Sequence, residues 1–269
     1  MIQLLKIEWL KFRRYRAFWV LASAFVILFP LTFYFVAHKY MEAISQRNDE
    51  ANMLNSIMGA PFVFPKVWHS ASWFGGLFII ILGMLFILLI TNEVQYRTHR
   101  QNIIDGWSRT EFIVAKFYVM LCIVVLSTLW VFTSGLIVGL IQTPSTSTAG
   151  IFDNLHYIGY FALMALHYLM VAFMTAILIK RTGLSIIIYF VVVIIIDFIL
   201  WAVFTIRDSQ VGYYILMESS DSLVPNPFKP AMMERRKVSD LSLLITTTSY
   251  ILFFGWGLLT IFKKADLKT

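Results

Sequence analysis

Charge is scarce in this chain. Only 14% of its 269 residues are Asp, Glu, Lys or Arg, whereas 59% are hydrophobic; a soluble domain carries roughly a quarter charged residues. Cysteine is almost missing. The single Cys122 leaves neither an intrachain disulfide nor a cysteine metal site to build. The five histidines, His38, His69, His99, His156 and His167, show no HxxxH or HExxH spacing, so no histidine metal site is expected. There is no GxxxxGK[ST] run, which excludes the usual loop that cradles nucleotide phosphates. No repeat of fixed period is visible, and no His/Asp/Glu or Ser/His/Asp grouping shares a helix face. An integral membrane enzyme would need such a grouping near one interface, so that reading ranks low.

What the chain does have is apolar length. Six blocks, near 17–37, 73–91, 112–141, 157–179, 184–206 and 241–262, each reach the ~20 residues a helix needs to cross a bilayer. One all-round apolar helix fits the core of a soluble protein; six do not. The predicted fold is therefore an all-α polytopic membrane protein with one membrane domain over 1–269. The basic start and Ala22-Ser23-Ala24 resemble a signal-peptide cleavage site. The apolar run before Ala22 is too short for one and continues past Ala24, so an uncleaved first span is expected.

The charges orient the spans. Fourteen of the 22 Lys and Arg residues fall in the N-terminal segment, the loops after spans two and four, and the tail. An excess of Lys and Arg marks the cytoplasmic face, which predicts both termini in the cytosol. The same bias explains the net charge of +7 as attraction to anionic lipid rather than nucleic acid.

Residues 1–16 read as a basic amphipathic helix in the membrane interface, with Ile2, Leu5, Trp9 and Phe12 on one stripe. It either anchors the chain or braces a soluble partner. Beyond the first span, Pro61 and Pro65 forbid a helix interior. The aromatics around them, Phe62, Phe64 and Trp68 with Val67, are expected at the outer interface. Gly212–Met217 either continues the fifth span or packs on the outer surface.

The most unusual stretch is a polar island, EVQYRTHRQNIIDGWSRTEFIVAK, over 93–116. Glu93 and Arg97, and Arg97 and Gln101, are four apart, a helical spacing. Asp105-Gly106 suits a left-handed C-cap, and Ser108-Arg109-Thr110-Glu111 is a capping box. The pattern specifies helix, break and new helix. A plain turn between two spans needs 2–5 residues; one of about 20 suggests a docking surface.

That island resembles the permease subunits of ABC-2-type transporters. The resemblance rests on Glu93, Thr98, Gly106, Ser108, Arg109 and Lys116, and on Arg100-Gln-Asn-Ile-Ile-Asp-Gly106. Arg97 stands where many members have glycine, and Asp105-Gly106-Trp107 where they often have proline. The resemblance implies an exporter fold: six spans, an N-terminal interfacial helix and a cytoplasmic coupling helix between spans two and three. It implies that Glu93, Arg97, Thr98, Arg100, Gln101, Asn102, Asp105, Gly106, Ser108, Arg109 and Lys116 serve coupling to a separate ABC ATPase subunit. ATP and Mg would be bound by that subunit and no cofactor by this chain. Two permease copies, identical or not, would sit in the bacterial cytoplasmic membrane.

Two residues inside spans are candidates for the translocation path, Asp197 and His167. A carboxyl group at membrane depth faces the bundle interior or water. It either handles substrate or protons, or holds the bundle together. A stand-alone proton-coupled carrier using Asp197 is the alternative function. It would predict further intramembrane acids and inverted repeats. Gly135 and Gly139 form a GxxxG spacing that permits close helix approach.

Overall fold

In the computed structural model, residues 8–13, 15–45, 59–95, 109–144, 150–207, 209–229 and 238–264 are described. Among them the regular elements are helices, with no strand. A short helical segment over 8–12 precedes α1 (Arg16–Ser45), α2 (Val67–Gln95), α3 (Arg109–Gln142) and α4 (His156–Ile179). A fifth long rod begins as α5 (Thr182–Phe190), widens into a π-helical stretch (Val191–Ile196) and ends as α6 (Asp197–Ile206). The short α7 (Glu218–Asp221) and the long α8 (Asp240–Lys264) close the order.

Six helical rods are long and apolar enough to cross a membrane. Several outrun the apolar blocks in the sequence. α1 continues to Ser45 and α2 starts at Val67, because the flanking residues are helix-compatible and backbone hydrogen bonding does not stop where hydropathy does. In α2 and α4 67% of the apolar window is buried, against 22% in α1 and 17% in both the fifth rod and α8. So α2 and α4 form the centre, and the others present one face outward. That face carries Leu31, Phe35, Leu126, Phe198, Phe253 and Trp256, all exposed. Such a surface is stable only against lipid, and the protein is integral to a membrane.

The six rods alternate in direction, so one end of the bundle carries the segment over 8–12, the start of α1 and the end of α8. At the far end, the proline segment behaves differently from the expectation. Phe62, Phe64, Val67 and Trp68 are buried in protein, not laid in an interface. Pro61 and Pro65 prevent the helix from continuing, and the compact turn folds its rings in between helices. Phe62 packs on Phe33 of α1 at 5.7 Å, and Trp68 stacks on Phe132 of α3 at 5.1 Å. The GxxxG glycines of α3 receive these rings. A Cβ on Gly139 would lie 2.5 Å from Phe64, and one on Gly135 3.0 Å from Ala71. Polar ties complete the seat: the Trp68 indole donates to the Ile151 carbonyl at 2.6 Å, and the Phe64 N–H to Thr143 Oγ1 at 3.1 Å.

The second far-end connection turns back into the bundle. Gln210–Tyr214 forms a 3-10 turn, and α7 then descends beside Tyr168, which lies midway along α4. Met217, Ser219 and Ser220 are wholly buried. Irregular backbone is tolerated at that depth only when protein satisfies it, and here it does. Ser219 and Asp221 N–H groups donate within the turn at 3.0 Å each, and Asp197 takes the N–H of Met217 at 2.8 Å. Gly212–Met217 therefore does not extend the fifth rod; it turns inward, with Gly212 and Met217 buried and residues 213–216 half-buried.

Candidate functional site

Two polar constellations stand out inside this apolar frame, one at each end of the bundle. The first is at the terminal end. The Lys116 ammonium, on the second turn of α3, contacts both the Glu8 carboxylate and the Glu93 carboxylate near the end of α2. Lys11 adds a 2.9 Å pair with Glu8 and a 3.5 Å contact with Glu93. Glu8 and Lys116 are buried to 0% and 1% exposure, and Glu93 to 6%. Burying charge is costly unless opposite charges are matched; here two ammonium and two carboxylate groups meet. For Glu8, burial alone would raise the carboxyl pKa. Lys116 and Lys11 outweigh it and hold the group below its ordinary value.

This cluster ties three pieces of chain together: the N-terminal helical segment and both stems of the polar island. Of the sequence-predicted coupling residues it contains Glu93 and Lys116. Arg97, Thr98, Arg100, Gln101, Asn102, Asp105, Gly106 and Ser108 lie outside the described residues. Arg109 is the first residue of α3, and Glu111 falls in its first turn. Sequence reasoning passed over Glu8. Its signal was there, as the lone acid among the five basic residues of 1–16. The expected apolar stripe holds at Phe12, which is buried, but Trp9 is 47% exposed. Glu8 takes the inward place because its charge is answered by Lys116.

The second constellation surrounds Asp197. On the fifth rod Ser185, Tyr189, Val193 and Asp197 are all buried, a repeat of four. An α-helix has 3.6 residues per turn, so such a repeat drifts off one face. The wider π turn at Val191–Ile196 absorbs the excess and keeps Asp197 pointing inward. Asp197 lines a cavity of about 330 Å³ with Trp73, Tyr168, Trp201, Glu218 and Asp221. The Tyr168 hydroxyl donates to Asp221 at 2.8 Å, and Ser222 donates to Glu218 at 2.7 Å. Burial pushes the Glu218 carboxyl up to about 7. Burial, and then the nearby Glu218 carboxyl, raise Asp221 well above the ordinary range.

His167, the other path candidate, is fully buried but is not among the residues lining this cavity. Its Nδ1 pairs with Ser220 Oγ at 3.2 Å, and its ring stacks on Tyr250 at 5.8 Å. It joins α4, α7 and α8. Its neighbour Tyr168 faces the cavity instead. Glu218 and Asp221 were missed in the sequence because they read as loop residues; only the inward turn of α7 brings them to Asp197. Among the described residues no group of three His, Cys, Asp or Glu side chains is arranged to hold a metal ion.

One family model matches this chain, over residues 4–196, and its description is ABC-2 family transporter protein. No curated protein and no solved structure matches. The matched span takes in the cluster at the terminal end, the polar island and the fifth rod through the end of the π turn.

Proposed function

The chain belongs to the ABC-2 family of transporter proteins, and we propose that it is the permease subunit of an ATP-driven exporter. As a family member it is a membrane component of a transporter. In this reading nucleotide and Mg are bound and hydrolysed by a separate ABC ATPase, and this chain binds no cofactor. Two permease copies form the path in the bacterial cytoplasmic membrane, with both termini cytosolic. The whole chain, 1–269, acts as one membrane domain.

The observation that carries the reading is the buried cluster of Glu8, Lys11, Glu93 and Lys116. A loop that merely joins two spans has no need of buried charge at both stems. Such pairs are costly to bury and costly to break, so the stems and the N-terminal segment move as one body. The residues between the stems, Arg97 to Arg109, are the docking surface. Arginines there suit charge-assisted hydrogen bonds to a partner. Force applied to the island then reaches α2 and α3 together, and α2 is a central helix. This is a two-state element biased by partner contact.

Coexpression with the ATPase tests the proposal. Arg109→Ala chains are expected to insert normally but to lose the copurifying ATPase or its transport-linked turnover, and Glu93→Ala chains to lose it together with some thermal stability, since the buried cluster is broken. Wild-type levels of both in these variants would contradict docking at the island. Transport that persists without ATP and stops with a protonophore would instead support the proton-coupled carrier.

A further inference from the structure

The cavity at Asp197 adjoins a second of about 390 Å³, nearer the far end, and the two share Trp73, Trp201, Glu218, Asp221 and Val224 as lining. Together they make a passage from the far end to mid-bundle, with two indoles and two carboxyl groups at its waist. The inner cavity has three carboxyl groups on its walls and no Lys, Arg or His among its lining residues. The outer one has Lys229 and His69, and the His69 ring is already engaged with the Pro225 carbonyl at 2.6 Å.

Two further polar groups, one on the wall of the inner cavity and one in the core outside it, have no hydrogen-bond partner. The Tyr189 side chain is completely buried. Its hydroxyl rests over Gly83, within electrostatic reach of Asp221 and Tyr168 on the cavity wall. The indole N–H of Trp201 is likewise buried and unpaired. Buried polar groups are normally satisfied; the indole N–H is a donor that a cation cannot satisfy, so it leaves the sign of the bound charge to the carboxyl groups and the rings. A small metal ion does not suit the site, since no three acidic or imidazole groups converge as coordination requires among the described residues. Diffuse positive charge does suit it. Carboxylates balance a cation, and indole and phenol faces attract one through their quadrupoles while packing its apolar body.

We infer that the inner cavity binds a monovalent organic cation, an amine or quaternary ammonium group on an apolar body, with Asp197, Glu218 and Asp221 as the acids that supply its single counter-charge and Trp73 and Trp201 as its aromatic walls. The inference gives the proposed exporter its substrate class and rests on the transport reading. Its test needs no ATPase, so failure of coupling and failure of binding are separate results.

The probe is ethidium, followed by fluorescence anisotropy with the full chain in lipid nanodiscs. Saturable binding is expected, with uncharged phenanthridine failing to displace the probe. Glu218→Gln combined with Asp221→Asn should weaken binding about tenfold or more, as loss of a desolvated charge partner does. Trp201→Leu should also weaken it, while Trp201→Phe retains most of it. Trp130→Leu, on the exposed face of α3, should bind as wild type. Each variant is compared as a monodisperse particle, and Glu218→Gln alone serves if the double variant does not fold. Equal affinity of wild type and the carboxamide variants, displacement by phenanthridine, or an adventitious partition of the dye into lipid only, would overturn the inference.

Discussion

Lys116 is the residue on which the terminal end depends most. It answers two carboxylates at once, and both are nearly inaccessible to water. Removing one member of a buried ion pair typically costs about 3–5 kcal/mol. Lys116→Met is therefore expected to lower the melting temperature sharply in detergent. Adding Glu8→Gln and Glu93→Gln to it should recover much of the loss, a non-additivity that marks direct coupling. Independent, additive effects would contradict a shared cluster. Glu218 makes the opposite kind of prediction at the far end. Its folded pKa is raised from 4.5 to about 7, so the folded state binds its proton more tightly than the unfolded state does. The stabilisation is complete below about 4.5 and is lost as pH rises through about 7. The melting temperature should fall across that window, and Glu218→Gln should flatten the fall; an unchanged slope in the variant would refute the assignment. Glu93 and Lys116 were legible as candidates because their types and places match a known motif. Glu8 and Glu218 were not, because each owes its role to a partner more than 80 or 20 residues away, Glu93 and Lys116 for one and Asp197 for the other.

At the scale of the element, glycines and the π turn set the register. A Cβ on Gly83 would lie 2.2 Å from the Tyr189 hydroxyl oxygen, so α2 and the fifth rod meet only because that side chain is missing. Gly83→Ala should cost about 1–3 kcal/mol by overpacking. Tyr189→Phe removes the clashing oxygen and should return part of that cost in the double variant, measured by thermal unfolding of both singles and the pair. The long rods themselves were readable from hydropathy, since their apolar runs exceed what a bilayer requires. The fate of the aromatics after Pro61 was not. Phe62, Phe64 and Trp68 suit a lipid interface and a protein core equally well, and only the glycines of α3 decide for the core. The same holds for α7, whose ESSD sequence carries no sign that it is buried until Tyr168, His167 and Asp197 are seen around it.

At the scale of the whole molecule, the two constellations lie at opposite ends of α2. Glu93 stands near one end of that helix; Trp73 and Gly76, at the other, line the cavity. A rigid, largely buried helix is the shortest mechanical route between the island, where the proposed ATPase would dock, and a cavity in the far half. In the proposed coupling, the cluster makes the N-terminal segment and the island's stems one moving body, driven by the proposed ATPase. Pulsed electron-spin distance measurements on the reconstituted complex address it most directly, with Cys122 replaced by serine and labels placed on exposed positions. The pair Trp9→Cys with Leu121→Cys spans the cluster, and the pair Trp9→Cys with Trp256→Cys spans from the N-terminal segment to α8. ATP is expected to leave the first distance unchanged and to shift the second, and this contrast is expected to vanish in Lys116→Met. A first distance that changes with ATP, or a second that stays fixed, would contradict it.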